Sequence, residues 1–389
     1  MARVELQKLL AVCAGAVAFS YGAWLLLQLT SHRWMVDATG HALITDFLAP
    51  YTAGHLAATG HAVAAYSDGA QHAAEVAVAG KNFSGRLGWP YPPHYFLILA
   101  PLAQLNYLHA FLLWTLATLG GYAATVGAVA RRNAAVLFAL AAPWCLADLM
   151  VGQNGFFTAA LLGLALLALE RRSIAAVILI ALLTYKPQFG LLIPIALLAG
   201  GYWRTIAITS ASVLVLALVS GAVFGFDTFA AFLNVLPATT SNLVEHGAVG
   251  WGKLQSLYGF LRWLGVPNAA AWTAQAILAA ALAAGTAVLW RSKTPFAVKA
   301  ASLSAAAVLV TPYVFLYDLP VLAVPIAFLA RERPLDRIEM YAVTAAVITF
   351  IAAALLAAPL AWFGGLALVA LGARRAVQMA CIGDPGRSQ

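Results

Sequence analysis

The chain has 389 residues, of which 63% are hydrophobic and only 9% charged, with a mean hydropathy of +0.87; a soluble domain carries roughly 25% charged residues. That composition excludes a water-soluble globular protein and makes a bilayer the solvent. The net charge of +8 and pI near 9.5 follow membrane orientation, so no nucleic-acid partner is expected.

Residues 9–29 form an apolar run behind Arg3 and Lys8. Its length predicts a retained signal anchor rather than the short core of a cleaved signal peptide. A first outer segment, 30–92, follows, and its two alanine-rich stretches are expected to lie along the membrane surface as short helices. It ends in the run Trp89-Pro90-Tyr91-Pro92-Pro93-His94, either a rigid aromatic rim over a lipid or sugar or a plain interfacial anchor. Residues 94–105 are expected to be partly buried or interfacial, before a crossing at 108–130.

After Arg131-Arg132 come two short apolar stretches, 134–147 and 155–169, with a hinge predicted over 148–154. The plan repeats in 173–184 and 189–200, hinged at Tyr185-Lys186-Pro187-Gln188. Helices this short rise only about 18 to 23 Å, against a hydrocarbon core of about 30 Å. Their polar hinges are therefore expected below the outer surface, where non-helical backbone is tolerated if it lines a cavity or is buried in protein.

A helix at 205–224 leads to a second outer segment, 225–268, and 269–290 returns. Stretches 296–311 and 314–330, hinged at Thr311-Pro312-Tyr313, and then 338–355 and 357–373 bring the expectation to about twelve crossings. Without a long charged or Gly/Ser-rich linker, residues 1–389 are expected to form one membrane domain.

Positive charges assign the sides. Arg3, Lys8, Arg131, Arg132, Arg171, Arg172, Arg204, Arg291, Lys293, Lys299, Arg331, Arg333, Arg337, Arg374, Arg375 and Arg387 recur at every second loop and are predicted cytoplasmic, as are both termini. Arg33, Lys81, Arg86, Lys186, Lys253 and Arg262 fall on the other side, with all eight histidines in or beside its segments. The chemistry is therefore expected to face outward, from a multi-pass protein of the bacterial inner membrane. The three cysteines lack metal-ligand spacing, and neither a disulfide nor a metal site is expected.

Asp46, shortly after the first helix, is placed to meet a lipid head group; it is either a general base for a sugar hydroxyl or a capping or surface aspartate. Lys186 is a lone cation in an apolar stretch, an expensive placement. It serves either a lipid phosphate or an ion pair with Asp148 or Asp318. Gln153 and Asn154 offer amides that suit sugar hydroxyls, and equally suit helix capping or interhelical bonds. Tyr317-Asp318 puts another acid at membrane depth, for substrate or for a structural cation. Glu245, His246, Trp251 and Lys253 mix charge with an aromatic face, as a carbohydrate site or a solvated loop does. Neither an Asp-x-Asp pair nor a phosphate-binding glycine loop occurs, and no cofactor is expected.

Asp46-Phe47 with Tyr51, Gly60 and Tyr66, then Tyr91-Pro92-Pro93 with Pro101-Leu102, Gly152-Gln153-Asn154, Lys186-Pro187, and Pro312-Tyr313 with Tyr317-Asp318, in this order along a hydrophobic chain, resemble glycosyltransferase family 87. The resemblance spans about residues 10–335. It implies an all-α polytopic GT-C fold with short broken helices and outer-face interfacial helices. It also implies transfer of a sugar, usually mannose, from a polyprenyl-phosphate donor to a lipid or glycan acceptor at the outer face, with inversion. Asp46 would be the base, and Tyr51, Tyr91, His94, Gln153, Asn154, Lys186, His246, Tyr317 and Asp318 would bind substrate. Competing expectations are a lipid-glycan flippase, which needs no base, an outward-facing glycan polymerase or ligase, for which the outer loops hold few arginines, and a membrane scaffold.

Overall fold

The computed structural model describes residues 2–85 and 87–382; Arg86 and Arg387, assigned to sides above, lie outside the described residues. Among these the chain is helical without a β-strand, and two isolated bridges tie Val36 to Trp34 and Ala42.

Helix α1 (Ala2–Thr30) is followed by α2 (Leu48–Ala58), a 3₁₀ turn (Ala62–Tyr66) and α3 (Asp68–Ala79). These are the two alanine-rich stretches expected to form short helices. A 3₁₀ turn (Pro93–Tyr95) opens α4 (Phe96–Leu102), which packs on α2, and α5 (Tyr107–Ala130) is the next long helix.

The third apolar stretch breaks earlier than the sequence predicts. Helix α6 (Asn133–Ala141) and α7 (Pro143–Val151) meet at 61°, because Pro143 has no N–H to continue α6 and forces the preceding Ala142 out of helical geometry, at ψ 139°. Residues 148–151 therefore form the last turn of α7, and only 152–154 remain as the hinge. Gly152 ends α7 at φ +67°, a conformation that a side chain disfavours.

Helix α8 (Gly155–Glu170) is buried along nearly its whole length between α5, α9 (Ala175–Leu183) and the 3₁₀ segment Leu316–Leu322. The second hairpin breaks where predicted. Lys186 leads into a 3₁₀ turn (Pro187–Gly190), then α10 (Ile193–Ala199). Helix α11 (Trp203–Phe224) leads to residues 225–268, which hold α12 (Asp227–Thr239), a π-helical turn (Thr240–Glu245), a 3₁₀ turn (Trp251–Lys253) and α13 (Leu257–Trp263).

Helices α14 (Asn268–Arg291) and α15 (Phe296–Leu309) precede another departure. The stretch expected as one crossing from 314 to 330 begins as the 3₁₀ segment Leu316–Leu322 and becomes α-helical only in α16 (Ala323–Glu332). Pro320, inside that segment, cannot donate an α-helical hydrogen bond. Helices α17 (Arg337–Leu356) and α18 (Trp362–Ile382) complete the chain, α18 packed on α15 and α17.

Five helices, over Lys8–Thr30, Tyr107–Ala130, Trp203–Phe224, Asn268–Arg291 and Arg337–Leu356, are long and apolar enough to cross a membrane, or six with α6 and α7 as one bent span. Their outward faces carry uncovered large side chains, such as Val12, Leu26, Leu214, Ile277 and Leu355. Apolar exposure on that scale suits lipid rather than water, and the protein is a multi-pass membrane protein.

Candidate functional site

The two hinges and the 3₁₀ segment Leu316–Leu322 meet at the N-terminal end of α8. Asn154, just before that helix and 3% exposed, is the common partner. Its Oδ1 accepts from Lys186 Nζ at 2.6 Å and its Nδ2 donates to Tyr91 Oη at 3.0 Å, which fixes the amide because a lysine can only donate. Its carbonyl accepts from Thr158 Oγ1 and from the Tyr185 hydroxyl.

Lys186 is also buried, at 3% exposure, and it pairs with Asp318, not Asp148. The other Asp318 oxygen accepts the Phe315 N–H at 2.9 Å. The ammonium lies 5.5 Å from the ring centres of Phe189 and Tyr317, close enough for cation–π attraction. Its charge is therefore already compensated inside the protein.

Close backbone approach makes this assembly possible. A Cβ on Gly155 would overlap the Tyr317 carbonyl, and one on Gly152 would lie 2.7 Å from Phe111 and 2.9 Å from Phe47. Asp148 is 1% exposed; its Oδ2 accepts the Phe156 N–H at 2.9 Å, while Oδ1 has no hydrogen-bond partner. It thus serves the first turn of α8 in the manner of an N-terminal cap.

Asp46 stands at the edge of this cluster, half-buried. The residues beside it are held: Thr45 Oγ1 lies 3.1 Å from Tyr107 Oη and the Phe47 N–H donates to Val151 O at 3.0 Å. Among the described residues its own carboxylate receives only a long 3.4 Å contact, from Gln153 Nε2. Burial pushes the Asp46 carboxyl above the usual range, opposed by the Gln153 hydrogen bond and the Lys253 charge and reinforced by Asp318. Lys253 belongs to the segment 225–268, so that segment and the one that carries Asp46 act on one carboxylate.

Tyr91, Asn154, Lys186, Tyr317 and Asp318, far apart in sequence, are thus one network, and the Asp46–Gln153 pair adjoins it through the chain at Gln153-Asn154. His94 stands beside it, its Nε2 3.3 Å from Thr184 Oγ1. Tyr51 supports the network from below, its ring against Phe47 and Tyr107 and its hydroxyl donated to Leu105 O. His246 makes its contacts locally, with Ser241, and touches none of these residues. Sequence reasoning missed Tyr95 and Tyr185, buried rings with centres 4.6 Å apart; their only signal was adjacency to His94 and Lys186. Among the described residues no group of three His, Cys, Asp or Glu could hold a metal ion.

A family model described as glycosyltransferase family 87 matches residues 89–312. The match takes in Tyr91, Gln153, Asn154 and Lys186, and leaves Asp46, Tyr317 and Asp318 outside it. No curated protein and no solved structure matches the chain. With more than half its length matched, and with the matched hinges converging on one buried polar cluster, the chain belongs to glycosyltransferase family 87.

Proposed function

We propose that this glycosyltransferase moves a sugar, mannose first among the candidates, from a polyprenyl-phosphate donor to a lipid or glycan acceptor at the outer face of the bacterial inner membrane. The observation that carries the reading is Asp46: a half-buried carboxylate beside a polar cluster, with its neighbours pinned and a single weak hydrogen-bond partner. A carboxylate so placed is free to accept a proton when substrate arrives.

In the proposed step an acceptor hydroxyl oxygen attacks the anomeric carbon, the bond from that carbon to the phosphate oxygen breaks, and the phosphate leaves with the electron pair. The hydroxyl proton passes to Asp46. In-line attack inverts the anomeric carbon and puts Asp46 across the sugar from the phosphate. Gln153 orients the carboxylate, while Tyr91, His94, Asn154 and Tyr317 line the sugar, Tyr51 props the Asp46 loop, and His246 meets the acceptor from the second outer segment. Lys186 and Asp318 act as a pair, and a leaving phosphate takes the ammonium's third donor, the other two being held by Asn154 and Asp318.

The same proposal includes a GT-C arrangement of about twelve crossings in one domain over 1–389, with both termini cytoplasmic. The donor's long tail stays in lipid while its head group enters between broken helices.

The test is transfer from radiolabelled polyprenyl-phosphate mannose to membrane lipid extract, by purified wild type and Asp46→Asn in one detergent. Transfer by wild type, and its loss with donor binding retained in the variant, is the expected result. Equal rates remove Asp46 as base; absence of wild-type transfer with any polyprenyl-phosphate sugar overturns the donor assignment.

A further inference from the structure

A second polar feature lies beside the Asp46 cluster, in the first outer segment. Between the 3₁₀ turn Ala62–Tyr66, α3, Trp89 and Val235 of α12 is a recess in which about 10 Å³ is open to the centre of a water-sized group, room for about one water or one hydroxyl. Its floor is unusual for a surface helix. Gln71 is 2% exposed and Glu75 0% exposed.

The Gln71 amide can be oriented from its neighbours. Its Nε2 faces Ala49 O at 3.0 Å, Thr52 Oγ1 at 2.8 Å and Glu75 Oε1 at 3.4 Å, all able to accept. The flipped amide would set oxygen against oxygen. That leaves Gln71 Oε1 buried without a partner among the described residues, on a side chain that lines the recess. A buried acceptor without a donor is costly, and this one lies beside the Glu75 carboxylate, which His72 Nδ1 approaches at 3.4 Å.

A small recess lined by Asp68, Gln71 and Glu75 is rich in acceptor oxygens, which call for an O–H or N–H donor and repel a phosphate. The recess is therefore not a place for the donor's phosphate. Its position links it to the chemistry: Gln71 rests on Ala49, in the first turn of α2, three residues beyond Asp46. Trp89 and Tyr91, with ring centres 4.9 Å apart, form the partition, and Tyr91 bonds to Asn154 on the far side. A sugar whose reacting hydroxyl lies at Asp46 carries further hydroxyls that need partners nearby.

We propose that this recess, built by Gln71, His72 and Glu75, is an acceptor subsite that takes one hydroxyl of a neutral, polyhydroxylated head group. The proposal rests on the transfer reaction above for its role, although binding itself does not. The hydroxyl donates to Gln71 Oε1 and so supplies the hydrogen bond that the buried amide lacks.

Two measurements on the full chain, in an amine-oxide detergent free of sugar, test it. The first is hydrogen exchange of residues 66–79 with and without octyl α-D-mannopyranoside or octyl β-D-glucopyranoside. Slower exchange with at least one glycoside in wild type, absent in Gln71→Met and reduced in the milder His72→Ala, is expected. The second is transfer rate against concentration of the lipid extract and, separately, of polyprenyl-phosphate mannose. Both variants are expected to raise the half-saturating extract concentration by about three- to tenfold, the effect of one lost hydrogen bond, without moving that of the donor.

A recess that holds a bound water only would show no glycoside-dependent protection and no change in extract saturation, and would overturn the proposal. A shift in donor saturation alone would overturn it too. Protection without any transfer by wild type would uphold the subsite and sink the transfer reading, so the two failures are distinguishable.

Discussion

The two ends of α8 hold ions in opposite states. At its C-terminal end Glu170 takes both Arg331 terminal nitrogens, at 2.8 and 2.6 Å. In the same Arg-rich region Glu339, fully buried, receives Arg375 Nε at 2.7 Å and Nη2 at 2.9 Å, Arg333 at 2.8 Å and the Asp336 N–H at 2.9 Å. At its N-terminal end, about 24 Å away along the axis, Lys186 and Asp318 neutralise one another while Asp148 keeps an oxygen without a partner and Asp46 keeps one weak contact. Neighbours drive the acids apart. The Glu339 N–H, and after it Arg374, holds Asp336 down to about 2, whereas burial holds Asp46 up. Oversupplied ions lock helices together; undersupplied ones leave valences for a substrate.

The sharpest break in that comparison is Asp46→Asn. It should lower transfer by about 10²- to 10⁴-fold, the usual contribution of a general base, with no fall in thermal midpoint. A melting curve that drops alongside the rate would make Asp46 structural instead.

Glu339→Ala should do the converse. Stranding the buried Arg375 should cost about 3 to 5 kcal/mol of stability, read as lost folded yield and early heat aggregation, while the folded remainder transfers sugar at close to the wild-type rate.

Lys186 and Asp318 lie between these extremes and sharpen the line. Lys186→Met alone should destabilise by a similar amount, about 3 to 5 kcal/mol, because Asp318 is left unpaired. Adding Asp318→Leu should recover most of that stability without recovering transfer. Recovery of both would class the pair with Glu339 and Arg375.

Smaller effects appear in the pH profile. Asp46 must be ionised to act, and its pKa is raised, so transfer should fall as pH drops through a value above the ordinary carboxylate range. Gln153 favours the ionised form; Gln153→Leu should therefore move that acidic limb to still higher pH. A limb that stays in place would dissociate Gln153 from the carboxylate.

Much of the fold was legible because lipid imposes a simple rule: long apolar runs become helices, and proline and glycine break them. The long first helix, the short helices of 30–92 and the Tyr185-Lys186-Pro187 hinge follow from that rule. The 142 break did not, since the polar residues at 148–154 drew the hinge towards themselves while Pro143 had already set it. The start of α16 was displaced in the same way, with Asp318 and Pro320 sustaining a 3₁₀ segment that hydropathy alone cannot distinguish from α-helix.

The sequence by itself determined that this is a membrane protein, that its short hairpins carry polar hinges, and that Asp46, Lys186 and Asp318 needed explaining. Only the tertiary structure decided which of them meet. Lys186 had two acids to choose from, and the Gly155 backbone contact with Tyr317 delivers Asp318 to it and leaves Asp148 to the first turn of α8. Partner choice depends on distances of a few ångströms across residues far apart in sequence, and Coulomb and hydrogen-bond energies change steeply over that range.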